Sequence, residues 1–313
     1  MKETVEKPVF ESLEAFREQL ESVGFWWPHA RKVLLRHELL HNNMELVAGT
    51  GGTYPTVIYG NVVIKFFGFT EQWRKSYESE KAAQAILAEN RELAVPRLLA
   101  SGDLYEDAWS YLVTTRMSGV SWEHANWTPR ERRPVAIDLG VQIGLVHTLK
   151  PLALATKASD WSGLDLISSA KQSSFPAHLI PQIEAYVARM PALDDVFVHG
   201  DLMERHVFIE DGRLTGVIDW GDAIVCDRHY ELAKLHLDLI DCDKELLAAF
   251  LKASEWPITA DFAHKSLVLA LYRQAHGLIQ HHTMDVFFKL PKLLNLEQMT
   301  TLEELADRLF KIS

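Results

Sequence analysis

Apolar positions spaced by three and four run through Leu13, Phe16 and Leu20, a pattern that predicts helix across residues 11–40. A glycine-rich stretch follows, Gly49-Thr50-Gly51-Gly52-Thr53. Two short β-branched runs, Thr56–Tyr59 and Val62–Lys65, flank the dipeptide Gly60-Asn61, and together they read as a hairpin. Residues 71–90 carry the Glu, Lys, Ala and Gln of a helix, which Pro96 closes off. Tyr111–Thr115 reads as a buried strand that ends near Gly119.

From there the helical period dominates. Ile137, Val141, Leu145 and Leu149 predict a long helix over 130–149, and further helices are expected over 229–253, 260–282 and 299–311. One β-rich island interrupts them, from Val196 to Trp220. The expected organisation is α+β and two-lobed. A helical extension (1–40) precedes a small β-rich lobe (41–117) and a larger, mainly helical lobe (118–313).

The island holds the densest chemistry. Asp211-Gly212 is a two-residue hairpin turn, which sets Glu210 opposite Arg213, His206 opposite Val217 and Asp219 opposite position 204. That register brings His206 and Asp219 to one end of a single hairpin, with Asp201 in the loop that feeds it. A loop carboxylate can orient a hydroxyl and accept its proton, while a second carboxylate beside another ligand can hold Mg²⁺ on phosphate oxygens. Phosphoryl transfer uses this division of labour, since its catalysis is mostly positioning and charge neutralisation. The remaining requirements lie earlier in the chain. Glycines let backbone N–H groups approach phosphates. Lys65 stands opposite Thr56 in the expected hairpin, just past that glycine-rich segment. Glu78 and Glu80 on the next helix are both candidates to hold the lysine, and Glu80 is the choice.

The chain has 313 residues, 48% of them apolar and 24% charged, which excludes a disordered chain and supplies ample core for about two domains. Its net charge of −11 speaks against nucleic-acid binding, which needs cations to displace phosphate counterions, and suits high solubility or a cationic ligand. Two cysteines, Cys226 and Cys242, form no zinc or disulfide pattern. No leader segment and no apolar run of membrane length is read, so a soluble, cytoplasmic protein without a membrane partner is expected.

His199-Gly200-Asp201, His206 and Ile218-Asp219-Trp220-Gly221-Asp222-Ala223 together resemble the aminoglycoside phosphotransferase family, which has a protein-kinase-like fold. The resemblance spans roughly residues 45–240. It implies ATP or GTP as phosphate donor, Mg²⁺ as metal and the hydroxyl of a small, cationic molecule as acceptor. An aminoglycoside leads, with choline, homoserine or a sugar as alternatives. It implies Asp201 as catalytic base and Asp219 as metal ligand. Lys65, paired with Glu80, would contact the α- and β-phosphates, and Gly51, Gly52 and Thr53 would cradle phosphate. The backbones of Thr115 and Met117 would meet the adenine. Glu204, three residues after Asp201, matches an acid that meets the amino sugar in some kanamycin kinases; with Asp222 it is a substrate candidate. His206 departs from the usual asparagine. Imidazole suits softer metals than an amide oxygen does, so Mn²⁺ tolerance is expected.

Blander readings stand beside these. His199 is expected to be a structural hydrogen-bonding residue and Asp227 a helix cap. Glu231, Lys234, Asp238 and Asp241 read as a solvated helix face. Two other classes compete: an iron oxygenase whose triad would be His199, Asp201 and His276, and a nucleotide-binding regulator without turnover.

Overall fold

The computed structural model describes residues 5–49, 52–128, 130–150, 161, 163–281 and 283–312. The chain divides into two compact units, residues 1–91 with 95–118, and residues 92–94 with 119–313.

The first unit is a five-stranded antiparallel sheet covered by helices. The chain runs through α1 (Leu13–Gln19) and α2 (Val23–Arg36), then β1 (Leu46–Ala48), β2 (Thr56–Tyr59) and β3 (Val62–Gly68). It continues through α3 (Trp73–Leu87), β4 (Leu98–Tyr105) and β5 (Trp109–Thr115), and the strand order is β1-β2-β3-β5-β4. The Gly60-Asn61 hairpin has the expected register, Tyr59 opposite Val62 and Thr56 opposite Lys65.

Because side chains alternate along a strand, β3 supplies two separate cores. Ile64 and Phe66 pack with Val57, Tyr111 and Val113 beneath Trp26, Ala30, Val33 and Leu34 of α2. Trp26 stacks on Phe66 with ring centres 5.3 Å apart, and its indole N–H donates to the Gln19 carbonyl at 2.6 Å. Phe67, of opposite parity, packs with Tyr54, Leu112 and Tyr77 of α3. The N-terminal helices thus seal one face of the sheet.

The single helix expected over 11–40 is two helices. Ser12 caps the first, accepting from the Ala15 N–H at 3.1 Å, and Ser22 stands at the N-cap position of the second. Starting α2 at Val23 places Pro28 in its second turn, where it forgoes the i→i−4 bond to the Gly24 carbonyl. The break also lets Phe16 and Trp26 enter one core.

The second unit contains β6 (Val120–Ser121), α4 (Arg132–His147), α5 (Leu166–Lys171) and α6 (Ile183–Val187). The island follows as β7 (Val196–Val198), β8 (Val207–Glu210), β9 (Arg213–Val217) and β10 (Ile224–Cys226). Helices α7 (His229–Lys234), α8 (Lys244–Ala253), α9 (Phe262–His281), α10 (Leu290–Leu293) and α11 (Leu302–Phe310) complete it. Its two small sheets are β10-β7 and β6-β8-β9.

Two expectations need correction. The Asp211-Gly212 turn does set Glu210 opposite Arg213, but a bulge between Phe208 and Ile209 passes over Thr215, so Val207 and not His206 faces Val217. His206 lies in a 3₁₀ turn before the strand; its N–H donates to the Met203 carbonyl and its carbonyl accepts the Ile218 N–H, both at 2.9 Å. The helix expected over 229–253 is also broken. After α7 the chain makes a π-helical turn over Leu235–Leu239, and Asp241 and Cys242 take positive φ before Asp243 caps α8. No helix among the described residues is long and apolar enough to cross a membrane.

Buried histidines couple this packing to pH. His236 is fully buried and donates its Nε2–H to the Leu309 carbonyl at 2.8 Å; burial holds its pKa down at about 4, against the opposing pull of that carbonyl. Burial, then the Lys32 charge, lowers His29 to about 4 as well. Both are neutral in the folded state, whereas unfolded histidine gains its proton near pH 6.5. Their stabilising contribution is therefore complete above about pH 6.5 and is lost as the pH falls toward 4. We expect the calorimetric unfolding midpoint to drop steadily across that window; a flat midpoint would contradict the burial argument.

Candidate active site

In the first unit, Lys65 Nζ meets Glu80 Oε2 at 2.7 Å. Alternation along β3 turns Lys65 to the same side as Phe67, the side on which α3 packs. On α3, Glu80 is buried and Glu78 is exposed, which decides between the two carboxylates. Gly52 and Thr53 are exposed in the loop between β1 and β2, and Gly51 lies outside the described residues. Thr115 commits its N–H to the Arg97 carbonyl at 2.9 Å, and its hydroxyl accepts from the Arg97 N–H. The Thr115 N–H is therefore already taken, and Met117 stands two residues further on, half-buried and outside the strand.

In the second unit, β7 delivers His199-Gly200-Asp201, and β9 delivers Asp219. His199 joins the two loops. Its Nε2–H donates to the Ile218 carbonyl at 2.9 Å, and its Nδ1 accepts from the Asp201 N–H at 3.2 Å. The His199 N–H in turn donates to Glu231 Oε2 at 2.7 Å. Gly200 has φ +81°, and a Cβ there would lie 2.4 Å from the Asp222 carbonyl oxygen. Asp219 itself sits at φ +62°, a left-handed conformation that concentrates at functional positions.

His206 lies between the two aspartates. Its Nδ1–H donates to the Asp201 carbonyl at 2.7 Å, and its Nε2 accepts from Arg205 Nε at 3.3 Å and lies 3.4 Å from Asp219 Oδ2. With Nδ1–H donating, the ring's lone pair is on Nε2, where it accepts the Arg205 N–H beside the Asp219 carboxylate. Were Arg205 to release that lone pair, it and the Asp219 carboxylate would fit one divalent ion whose other ligands come from phosphate and water, the usual habit of Mg²⁺. Among the described residues no group of three or more His, Cys, Asp or Glu forms a fully protein-built metal cage.

The oxygenase reading fails on the same geometry. Both His199 nitrogens are committed to backbone partners, and His276 Nδ1 is bonded to the Tyr230 hydroxyl at 2.8 Å.

Three of the four residues read as a solvated face are buried, and Asp241 is half-buried. Glu231, Lys234 and Asp238 are each 5% exposed or less. Lys234 Nζ lies 2.8 Å from Asp238 and 3.8 Å from Asp201 Oδ1. Lys289 bonds Asp241 at 2.7 Å, bonds Glu204 and approaches Asp238 at 3.4 Å. Those carboxylates and Lys289's own hydrogen bonds raise its pKa against the effect of burial. Glu204 and Asp241 border an open cleft of about 470 Å³ with Trp122, Trp127 and Arg132, and Arg132 stands 3.5 Å from Asp241. Asp222 is a quarter exposed, with Arg273 at 3.9 Å.

Arg273 went unnoticed in the sequence. The available signal was a lone arginine closing the apolar run Leu267–Tyr272, where a surface helix would show a polar stripe.

The second unit joins Asp201 and Asp219 through His206, and the first pairs Lys65 with Glu80, the residues that carry the sequence resemblance. Residues 55–264 match the model of the phosphotransferase enzyme family, and the chain belongs to that family. Its structure is similar to the GDP complex of aminoglycoside 2'-phosphotransferase-IIIa, with a TM-score of 0.65 and 16% identity over 85% of this chain and 96% of that one. Macrolide 2'-phosphotransferase MphH from Brachybacterium faecium gives a TM-score of 0.58 at 17% identity, covering 89% and 96% of the two chains. The aminoglycoside phosphotransferase APH(3'')-Id from Streptomyces rimosus gives 0.52 at 17%, covering 79% and 97%. The fold is protein-kinase-like and mixed α+β, and the resemblance read from the sequence is borne out.

Gly200→Ala should abolish activity and lower stability, because the new Cβ would meet the Asp222 carbonyl and the backbone is left-handed there. Turnover and melting temperature of the purified variant check this; a stable, active G200A would show that the two loops are not packed as described.

Proposed function

We propose that this enzyme moves the γ-phosphate of ATP or GTP to a hydroxyl of a small molecule, with an aminoglycoside as the leading acceptor class. The observation that carries the reading is the joining of Asp201 and Asp219 through one histidine, at distances that suit a base and a metal ligand. The Lys65–Glu80 ion pair supports it from the nucleotide side.

In this reading Asp201 takes the proton of the acceptor hydroxyl as its oxygen bonds to the γ-phosphorus, and the bond from phosphorus to the β-phosphate bridging oxygen breaks. Asp219 and the His206 Nε2 lone pair would hold Mg²⁺, which when bound offsets charge on the β- and γ-phosphate oxygens. Lys65, fixed by Glu80, would contact the α- and β-phosphates, with Gly51, Gly52 and Thr53 against phosphate. Met117 would offer its backbone to the base, with Thr115 contributing its carbonyl and not its N–H. Asp222 and Glu204 would face the acceptor.

Charge supports a cationic acceptor. The chain carries −11, which draws a cation. Glu204 and Asp241 are bonded to Lys289, so an amine of the acceptor would share those carboxylates with a resident ammonium.

The test is nucleotide turnover with Mg²⁺, using ATP and GTP against aminoglycosides, choline, homoserine and sugars. We expect one acceptor to stimulate turnover, and Asp201→Ala to remove about 10²–10⁴-fold of the stimulated rate. Nucleotide binding with no acceptor-dependent turnover would shift the reading to a regulator. A companion measurement concerns the metal. His206→Asn exchanges imidazole for an amide oxygen, a harder ligand, and should lower the ratio of Mn²⁺- to Mg²⁺-supported activity. An unchanged ratio would place His206 outside the metal's ligands.

A further inference from the structure

The two oxygens of Asp201 meet different surroundings. Arg273, on α9 and 72 positions along the chain, donates its Nε–H to the Gly200 carbonyl at 2.8 Å and its Nη2–H to Asp201 Oδ1 at 3.2 Å. Lys234 Nζ lies 3.8 Å from the same Oδ1. The ionisable neighbour within 4 Å of Oδ2, among the described residues, is the His206 ring at 3.8 Å, whose proton is already given to the Asp201 carbonyl. Both cations thus act on Oδ1, and the carboxylate keeps 14% of its surface exposed.

Holding a guanidinium here is costly. Arg273 is 1% exposed, and its Nη1 has no hydrogen-bond partner. Removing such a charge from water costs several kcal/mol, so the arrangement stabilises the fold less than an apolar side chain of that shape would. The surroundings are nevertheless shaped for it. The Tyr230 ring lies 5.7 Å from the guanidinium carbon. Gly277, one turn along α9, leaves the space that Nη1 fills, since a Cβ there would stand 2.7 Å from it. A rigid planar fork bonded to a carbonyl and to the next residue's carboxylate fixes the backbone and the side chain of Asp201 together, which a flexible lysine does less well.

We propose that Arg273 is the positioning residue for the catalytic carboxylate, clamping Oδ1 of Asp201 with Lys234 behind it so that Oδ2 is presented to the acceptor hydroxyl. The inference rests on the reading of Asp201 as the base. Arg273 touches neither substrate nor phosphate in this role; it acts through Asp201. Lys234 is held to its task by Asp238, and Asp238 is flanked in turn by Lys289.

The experiment compares wild type, Arg273→Met, Arg273→Lys and Asp201→Ala, with the double variant Asp201→Ala/Arg273→Met, by steady-state kinetics and crystallography. With the acceptor found by the panel, R273M should lose about 10²-fold in kcat, the scale of a misplaced catalytic group, with both KM values within about twofold. R273K should recover at least about tenfold of that loss. The double variant should be no slower than D201A alone, because residues that act as a unit are not additive. In the crystal, the Asp201 carboxylate of R273M should leave its wild-type position. A kcat within about threefold of wild type, a further loss in the double variant, or an unmoved carboxylate each overturns the proposal. If R273M does not fold, R273K and Lys234→Met carry the same readouts, and unchanged kcat and carboxylate position in both overturn it. If wild type phosphorylates nothing in the panel, the functional reading fails separately, and the carboxylate position decides the clamp.

Discussion

A carboxylate with no access to water holds the Asp201 loop in place. Glu231 is fully buried at the start of α7 and accepts the His199 N–H, while its other oxygen has no partner. Burial pushes its carboxyl above the usual range, and the His199 and Gly200 backbone N–H groups and the Arg273 charge pull it back. His199 then passes the constraint on, through Ile218, to the loop that carries Asp219. One helix residue therefore sets the height of both aspartates, and the close approach of Gly200 to Asp222 keeps the two loops in register. The polar groups buried here form a connected network, and such networks specify one arrangement because an unpaired member is expensive.

The first unit solves a different problem. A five-stranded sheet exposes two faces, and only α3 is needed to place a carboxylate beside Lys65. The other face would present Phe66, Val57 and Val113 to water without α1 and α2, which bury Phe16, Trp26 and Leu34 there. The N-terminal helices complete this core. The Lys65–Glu80 pair then sits on a strand braced from both sides, which suits a cation that must not wander.

Charge is organised on two scales. Over the whole chain the balance is strongly negative. Around Asp201 it alternates, from Arg273 and Lys234 through Asp238 to Lys289, and on to Glu204 and Asp241. In a low-dielectric interior, alternation lets several ions be buried together where a cluster of one sign could not be. The π-helical turn at Leu235–Leu239 belongs to the same design, for it interrupts the regular helix between Lys234 and Asp241.

Features that depend on neighbours in the chain were legible from sequence. Gly60-Asn61 and Asp211-Gly212 set their hairpins because turn chemistry acts over two residues. Those turns alone brought Lys65 opposite Thr56, and Asp219 close to His206. Features that depend on what packs from elsewhere were not. The bulge at Phe208 displaced His206 by one position, and the helices over 11–40 and 229–253 broke where packing outweighed periodicity. Lys234 and Asp238 read as a solvated face because a charge pattern does not reveal the partner that buries it. Arg273 is the extreme case. Its meaning comes wholly from a loop 72 residues away, and only the tertiary structure brings a guanidinium to the carboxylate it serves.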